Sequence, residues 1–324
     1  MPNSNHESRI TGNGTGGWII LDKPSGMTSR RAGGIVARMF GIKKFGHLGT
    51  LDPMASGVLP IALGQATKMI PYLEGQKDER TKGQKEYEFS IKWGIKTDTD
   101  DITGNIIEQD SSICPFVPSC FSSALNSLIG EIEQTPPAYS AIHVNGRRAY
   151  ELARAGKPVD IPPRRVKIYK LEEKKDEGRM MKDEKDTSSF CLHPSSFSVE
   201  CSSGTYVRTL VQQIAEHARQ IATCDMIRRT RTHGFKIKDA VSLDFLENLY
   251  NNSPASVTEY LKPIDFGLDD ILVLKLDDSY AELFSNGGFV ATTGDGLRRV
   301  YSENKFIGIG RIDNGILKPQ RIIN

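Results

Sequence analysis

The strongest constraint on this chain lies between Phe45 and Leu63, FGHLGTLDPMASGVLPIAL. Pro53 and the glycines at 46, 49 and 57 make it a stiffened loop beside an apolar strand. Its one carboxylate is Asp52. Pro53 fixes its own φ and pushes Asp52 out of the helical region, onto a stiff extended turn. The glycines admit tight or left-handed backbone around it. A single acid on a stiffened loop beside an apolar strand suits catalysis. The same residues also describe an ordinary Asp-Pro turn, and local sequence alone favours the turn.

The elements around this stretch alternate between strand and helix. Trp18–Leu21 is a short apolar strand, followed by the turn Asp22–Gly26. Thr28 or Ser29 caps a helix to about Met39. Thr67–Leu73 reads as a short helix. Lys85–Trp93 alternates strictly, with Tyr87, Phe89, Ile91 and Trp93 on one face, as a half-buried strand does. Ser119–Gly130, Arg147–Gly156, Ser242–Leu249 and an apolar stripe beginning at Tyr206 predict helices. Arg165–Leu171 and Phe197–Cys201 are strands. In the last sixty residues Val273–Leu276, Phe289–Ala291, Arg298–Tyr301, Phe306–Ile312 and Ile316–Leu317 are short strands between Gly-rich turns, the pattern of a small β-barrel.

At 324 residues the chain is long enough for roughly two domains, and a net charge of +2 announces no global field for nucleic acid. Any such case rests on local patches, of which Arg228–Arg231 is the densest. Cys114, Cys120, Cys191, Cys201 and Cys224 are odd in number and form no CxxC pair, which argues against a disulfide framework and a zinc site. The segment Lys96–Asp101 lacks the ligand spacing of a calcium loop. No GxGxxG follows a strand, and neither GxxxxGK[ST] nor GxSxG occurs, so no cofactor and no metal are expected. The polar, glycine-rich N-terminus is no signal peptide and no run is long enough to cross a bilayer, so a cytoplasmic protein without a membrane partner is expected.

Several motifs together carry more than any one. Gly46–Lys68 (GHLGTLDPMASGVLPIALGQATK) resembles the catalytic-loop signature of the TruB family, the bacterial tRNA pseudouridine-55 synthases. The resemblance extends through WIILDKPSGMTS, KEYEFSIKWGIKTDTDD, PPAYSAIHVNGRRAYELARAG, PPRRVKIY, CSSGTYVRTL and RRTRTHGF, in order from Trp18 to about Leu246. It implies an α+β pseudouridine-synthase fold: a mixed, largely antiparallel sheet flanked by helices and loops, plus a small C-terminal PUA-like β-barrel. The expected divisions are a flexible tail over 1–16, a catalytic domain over 17–265 with a charged hairpin insertion at 172–196, and an RNA-binding domain over 266–324.

The resemblance also implies roles. Asp52 is the expected catalytic aspartate, Tyr87 the aromatic that stacks on the target base, and Arg208 the cation that pairs with the aspartate. His47 takes the place of the extruded base, and Tyr206 lies around the pocket. Lys23, Lys43, Lys44, Lys68, Arg147, Arg148, Arg228, Arg229 and Arg231 are expected RNA contacts. The implied activity is isomerisation of uridine 55 in the T loop of tRNA by a monomer that needs no protein partner. Two other readings are a guide-RNA-dependent synthase of the related branch and a non-catalytic tRNA-binding or folding protein. Leu48 stands where many members have Thr, and Ser203 where a Lys is common.

Overall fold

The computed structural model describes residues 16–75, 84–110, 125–144, 146–174 and 195–323. Most of the expected tail, the first part of the 119–130 helix and most of the 172–196 insertion lie outside them. The chain divides into two units, one of Met1–Pro53, Gly57–Glu79 and His233–Asn324, the other of Met54–Ser56 and Arg80–Thr232.

In the first unit, strand β1 (Gly16–Lys23) runs antiparallel to β3 (Ser56–Gly64), from Gly16 opposite Gly64 to Lys23 opposite Gly57. The short β2 (Phe45–His47) flanks β3 on its other side, with His47 opposite Ile61. Both β1 and β3 are apolar along almost their whole length because both of their faces are covered. Helix α1 (Ser29–Met39) starts where Thr28 Oγ1 accepts the Arg31 N–H at 3.2 Å, so Thr28 is the cap. It buries Ala32, Val36 and Met39. Gly33 lets it approach β2, since a Cβ there would stand 2.9 Å from the Phe45 ring. The predicted helix over 67–73 is a 3-10 turn, Gln65–Lys68, followed by α2 (Ile70–Glu74).

The C-terminal part forms a five-stranded sheet, in the order Val273–Leu276, Gly296–Ser302, Lys305–Asp313, Ile316–Ile322 and Val290–Ala291. All the strands expected there are present, most with longer bounds. An additional helix, Asp278–Ser285, packs Ala281 and Phe284 against Val290, Val300, Ile312 and Leu317. A second cluster is built from both ends of the chain: Trp18, Leu48, Met69 and Phe235 share one core with Ile309 and Ile323. The Trp18 indole N–H donates to Ile264 O at 2.8 Å, and the Trp18 and Lys262 peptides exchange two hydrogen bonds.

The second unit holds antiparallel strands in the order Ala222–Thr232, Lys85–Trp93, Ser195–Cys201, Arg164–Glu173 and Gly130–Gln134. The alternation read in Lys85–Trp93 is realised: Tyr87, Phe89, Ile91 and Trp93 are buried. Phe89 stacks on Phe197 of the neighbouring strand at 5.3 Å. The helix Val207–His217 lays its Leu210, Val211 and Ile214 stripe into the core. Arg147 and Arg148 are not helical as predicted. They form a strand paired with His143 and Val144, and the helix begins only at Ala149.

Candidate active site

Asp52 sits half-buried on the loop between β2 and β3. Leu51 and Pro53, its neighbours, are both held by the segment Lys23–Ser29. The Leu51 N–H donates to Ser29 Oγ at 2.9 Å, and the same hydroxyl donates to Leu51 O at 3.0 Å. The Gly26 N–H reaches Pro53 O at 2.8 Å. Lys23 is fully buried, its ammonium donating to Pro24 O and Met27 O at 2.8 Å each and to Pro53 O at 3.3 Å. Gly49 (φ 70°) and Gly57 (φ 102°) bracket the loop in left-handed backbone that only glycine adopts without strain. The stiffness that Pro53 implied is therefore tertiary as well as local.

Tyr87 is 7% exposed and faces Val199 on one side and Arg229 on the other, each directly opposite in the strand register. Arg229 is entirely buried. Burial pushes its guanidinium down from the ordinary range, while a hydrogen bond to the Tyr87 hydroxyl favours the charged form.

Arg208, one residue into its helix and 3% exposed, spreads its guanidinium over several partners. Nη1 donates to Thr99 O at 2.9 Å, Nη2 donates to Tyr139 O at 3.0 Å, and Nη1 lies 3.6 Å from Asp101 Oδ2. A helix N-terminus disfavours a cation, and the Asp101 carboxylate offsets that here. Asp101 is itself anchored, accepting at Oδ1 from the Thr99 hydroxyl and the Thr103 N–H at 3.0 Å each. Next to it, burial raises the carboxyl pKa of Asp100, against the pull of Arg208. The polar connection over 96–101 thus holds Arg208, a role that residue-by-residue reading missed. Tyr206 opens the same helix: its N–H donates to the buried Gln134 Oε1 at 3.0 Å, and the Arg164 guanidinium lies 4.8 Å over its ring. His47 is half-buried on β2. Among the described residues, no group of three or more His, Cys, Asp or Glu is placed to hold a metal ion.

The family model described as TruB family pseudouridylate synthase, N-terminal domain, matches residues 37–207, and the pseudouridine synthase II TruB C-terminal model matches 273–323. The chain belongs to the TruB family. A tRNA pseudouridine synthase B of Bradyrhizobium diazoefficiens is 36% identical over 95% of this chain and 86% of its own length. Another from Gluconacetobacter diazotrophicus is 36% identical over 95% of this chain and 97% of its own. The fold is similar to a solved complex of Cbf5, Nop10 and Gar1, with a TM-score of 0.66 at 20% identity, covering 95% of this chain and 85% of that one. An H/ACA ribonucleoprotein bound to a substrate RNA containing 2′-deoxyuridine gives 0.64 at 20% identity, with 95% and 85% covered.

The cations expected to meet RNA in this TruB-family chain fall into two groups. Lys43, Lys44 and Arg147 are exposed. Lys68, partly exposed, donates to Ile322 O at 2.9 Å; its pKa is lowered by burial and then by the charges of Lys44 and Arg321. Arg321 therefore joins a basic group that motif reading assembled without it. Arg148 is half-buried and donates to Ala141 O at 2.6 Å.

The remaining cations face inward or are already paired, because a strand alternates its faces. Arg228 donates to Ser56 Oγ at 3.4 Å. Arg231 lies 2.9 Å from Glu86 and 2.8 Å from Glu200. Lys23 and Arg229 have no exposed surface to offer a phosphate. A cavity of about 970 Å³ in the second unit is lined by Ile142, His143, Arg147, Lys157, Ile161 and Arg164, among others; none of Asp52, Tyr87 or Arg208 lines it.

Proposed function

We propose that the chain isomerises uridine 55 in the T loop of tRNA to pseudouridine, as a cytoplasmic monomer needing neither guide RNA nor protein partner. The observation that carries this reading is the 36% identity, over 95% of the chain, to proteins named tRNA pseudouridine synthase B.

The reaction breaks the N1–C1′ bond, turns the uracil and joins C5 to C1′; the hydrogen on C5 leaves as a proton and N1 takes one up. It is redox-neutral. Asp52 is the proposed catalytic carboxylate; it attacks C1′, adds to C6 of the base or removes the C2′ proton. Arg208 supplies the positive charge that keeps a carboxylate ionised away from water. The target uridine must leave its stack to be reached, and an aromatic ring such as Tyr87 holds a flipped base by its face while His47 fills the space it vacates. Lys43, Lys44, Lys68 and Arg147 are the cations best exposed for phosphates, with Arg321 beside Lys68.

Pseudouridine mapping of a T-stem-loop transcript incubated with purified protein tests the reading. Modification at position 55 is expected from the protein alone, and none from Asp52→Asn, which should still bind the RNA. Turnover by Asp52→Asn would remove Asp52 from the catalytic role. A guide-RNA-dependent alternative on the same fold predicts no product on the bare transcript.

A further inference from the structure

Two hydroxyls, Thr28 and Ser29, stand where α1 needs one cap. Thr28 does the capping, which leaves the Ser29 hydroxyl for another purpose. A serine hydroxyl has one proton to donate and lone pairs to accept with. Ser29 spends both on one residue, accepting from the Leu51 N–H at 2.9 Å and donating to Leu51 O at 3.0 Å. The second of these bonds fixes the plane of the peptide that enters Asp52. On the far side, Pro53 O is gripped by the Gly26 N–H at 2.8 Å, and the Pro53 ring locks its own φ. The Asp52 backbone is thus held at both ends, and the N-terminal grip is a single oxygen.

We propose that Ser29 is a positioning residue for the reaction: its hydroxyl sets the orientation of the Asp52 carboxylate by clamping both polar groups of Leu51. This rests on Asp52 being the catalytic carboxylate, as proposed above. Ser29 is 2% and Leu51 4% exposed, so water has little room to replace the lost oxygen. The local loop then rotates to satisfy its freed N–H and C=O elsewhere, and the carboxylate moves with it. A displacement of about 1 Å of a reacting group costs up to about a hundredfold in rate.

The test measures single-turnover pseudouridine formation, tRNA affinity, thermal melting and amide hydrogen exchange at Leu51 for Ser29→Ala and Ser29→Thr. Ser29→Ala is expected to lower the single-turnover rate about ten- to a hundredfold, leave tRNA affinity within about threefold, and speed exchange at Leu51 while Leu59–Leu63 stays protected. Ser29→Thr, which keeps the oxygen, should restore both the rate and the slow exchange. If Ser29→Ala does not fold, Ser29→Cys is read by the same measurements. An unchanged rate, a rate and an affinity that fall together, or unchanged protection at Leu51 would each overturn the clamp. Activity in Asp52→Asn would sink the catalytic assignment instead, and the Leu51 exchange result separates that failure from failure of the clamp.

Discussion

At the scale of single residues, burial decides what a charge can do. Arg229 lies in the densest basic run of the chain, yet its side chain points into the sheet's covered face and binds Tyr87. Arg229→Met should therefore lower the melting temperature and disturb Tyr87, while the salt dependence of tRNA binding keeps its slope. Lys44→Ala should do the reverse, reducing that slope by about one counterion with no effect on melting. Titrations of binding against salt, beside thermal melts, compare the two. For Arg208→Ala, the loss of a buried cation bonded to Thr99, Tyr139 and Asp101 should cut the rate by more than about a hundredfold with modest loss of affinity. An equal loss of both would mark a phosphate contact. Asp52, Tyr87 and Arg208 stood out in the sequence as candidates because each sits in a distinctive motif. Ser29, which holds Leu51, and Asp101, which lies beside Arg208, did not stand out. Their motifs say nothing about which distant oxygen a side chain reaches.

At the scale of elements, the strands and helices with a strong apolar period were readable, and the errors fall where the period is short. Arg147-Arg148 looked like the first turn of a helix because Ala149–Arg154 follows directly, but the pair instead closes a small hairpin with His143-Val144. The helix Asp278–Ser285 escaped notice because its apolar signal is little more than Ala281 and Phe284 within a region dense in turns. In the sheet beside that helix, Tyr301 donates to Asp265. Burial, and then this bond and the charge of Asp265, push its hydroxyl pKa up to about 12. The neutral phenol is the favoured form in the folded protein. Its stabilisation is complete below the unfolded value of 10.0 and is lost as pH rises toward about 12. Tyr301→Phe should therefore flatten the fall of melting temperature across that alkaline range. A calorimetric pH series that leaves wild type and variant parallel would contradict this.

At the scale of the whole molecule, the expected boundary near residue 265 separates sequence characters but not cores. Ile309 and Ile323 pack in the same cluster as Trp18, Leu48 and Met69. A chain truncated after residue 270 would leave that cluster open and is expected to aggregate or melt without a cooperative transition, as light scattering and calorimetry would report. No helix among the described residues is long and apolar enough to cross a membrane.

That shared core has a consequence for how the protein is made. The second unit is almost contiguous, with nearly all its residues between Arg80 and Thr232, so it can form as soon as that stretch leaves the ribosome. The first unit contains Trp18 yet waits for Ile323. At about 5–20 residues per second, translation of the roughly three hundred residues from Trp18 to Ile323 leaves Trp18 and its neighbours short of their last partners for about 15–60 seconds. Trp18 and the apolar residues after it are thus made long before they are buried, and during that interval the nascent chain offers chaperones an apolar segment.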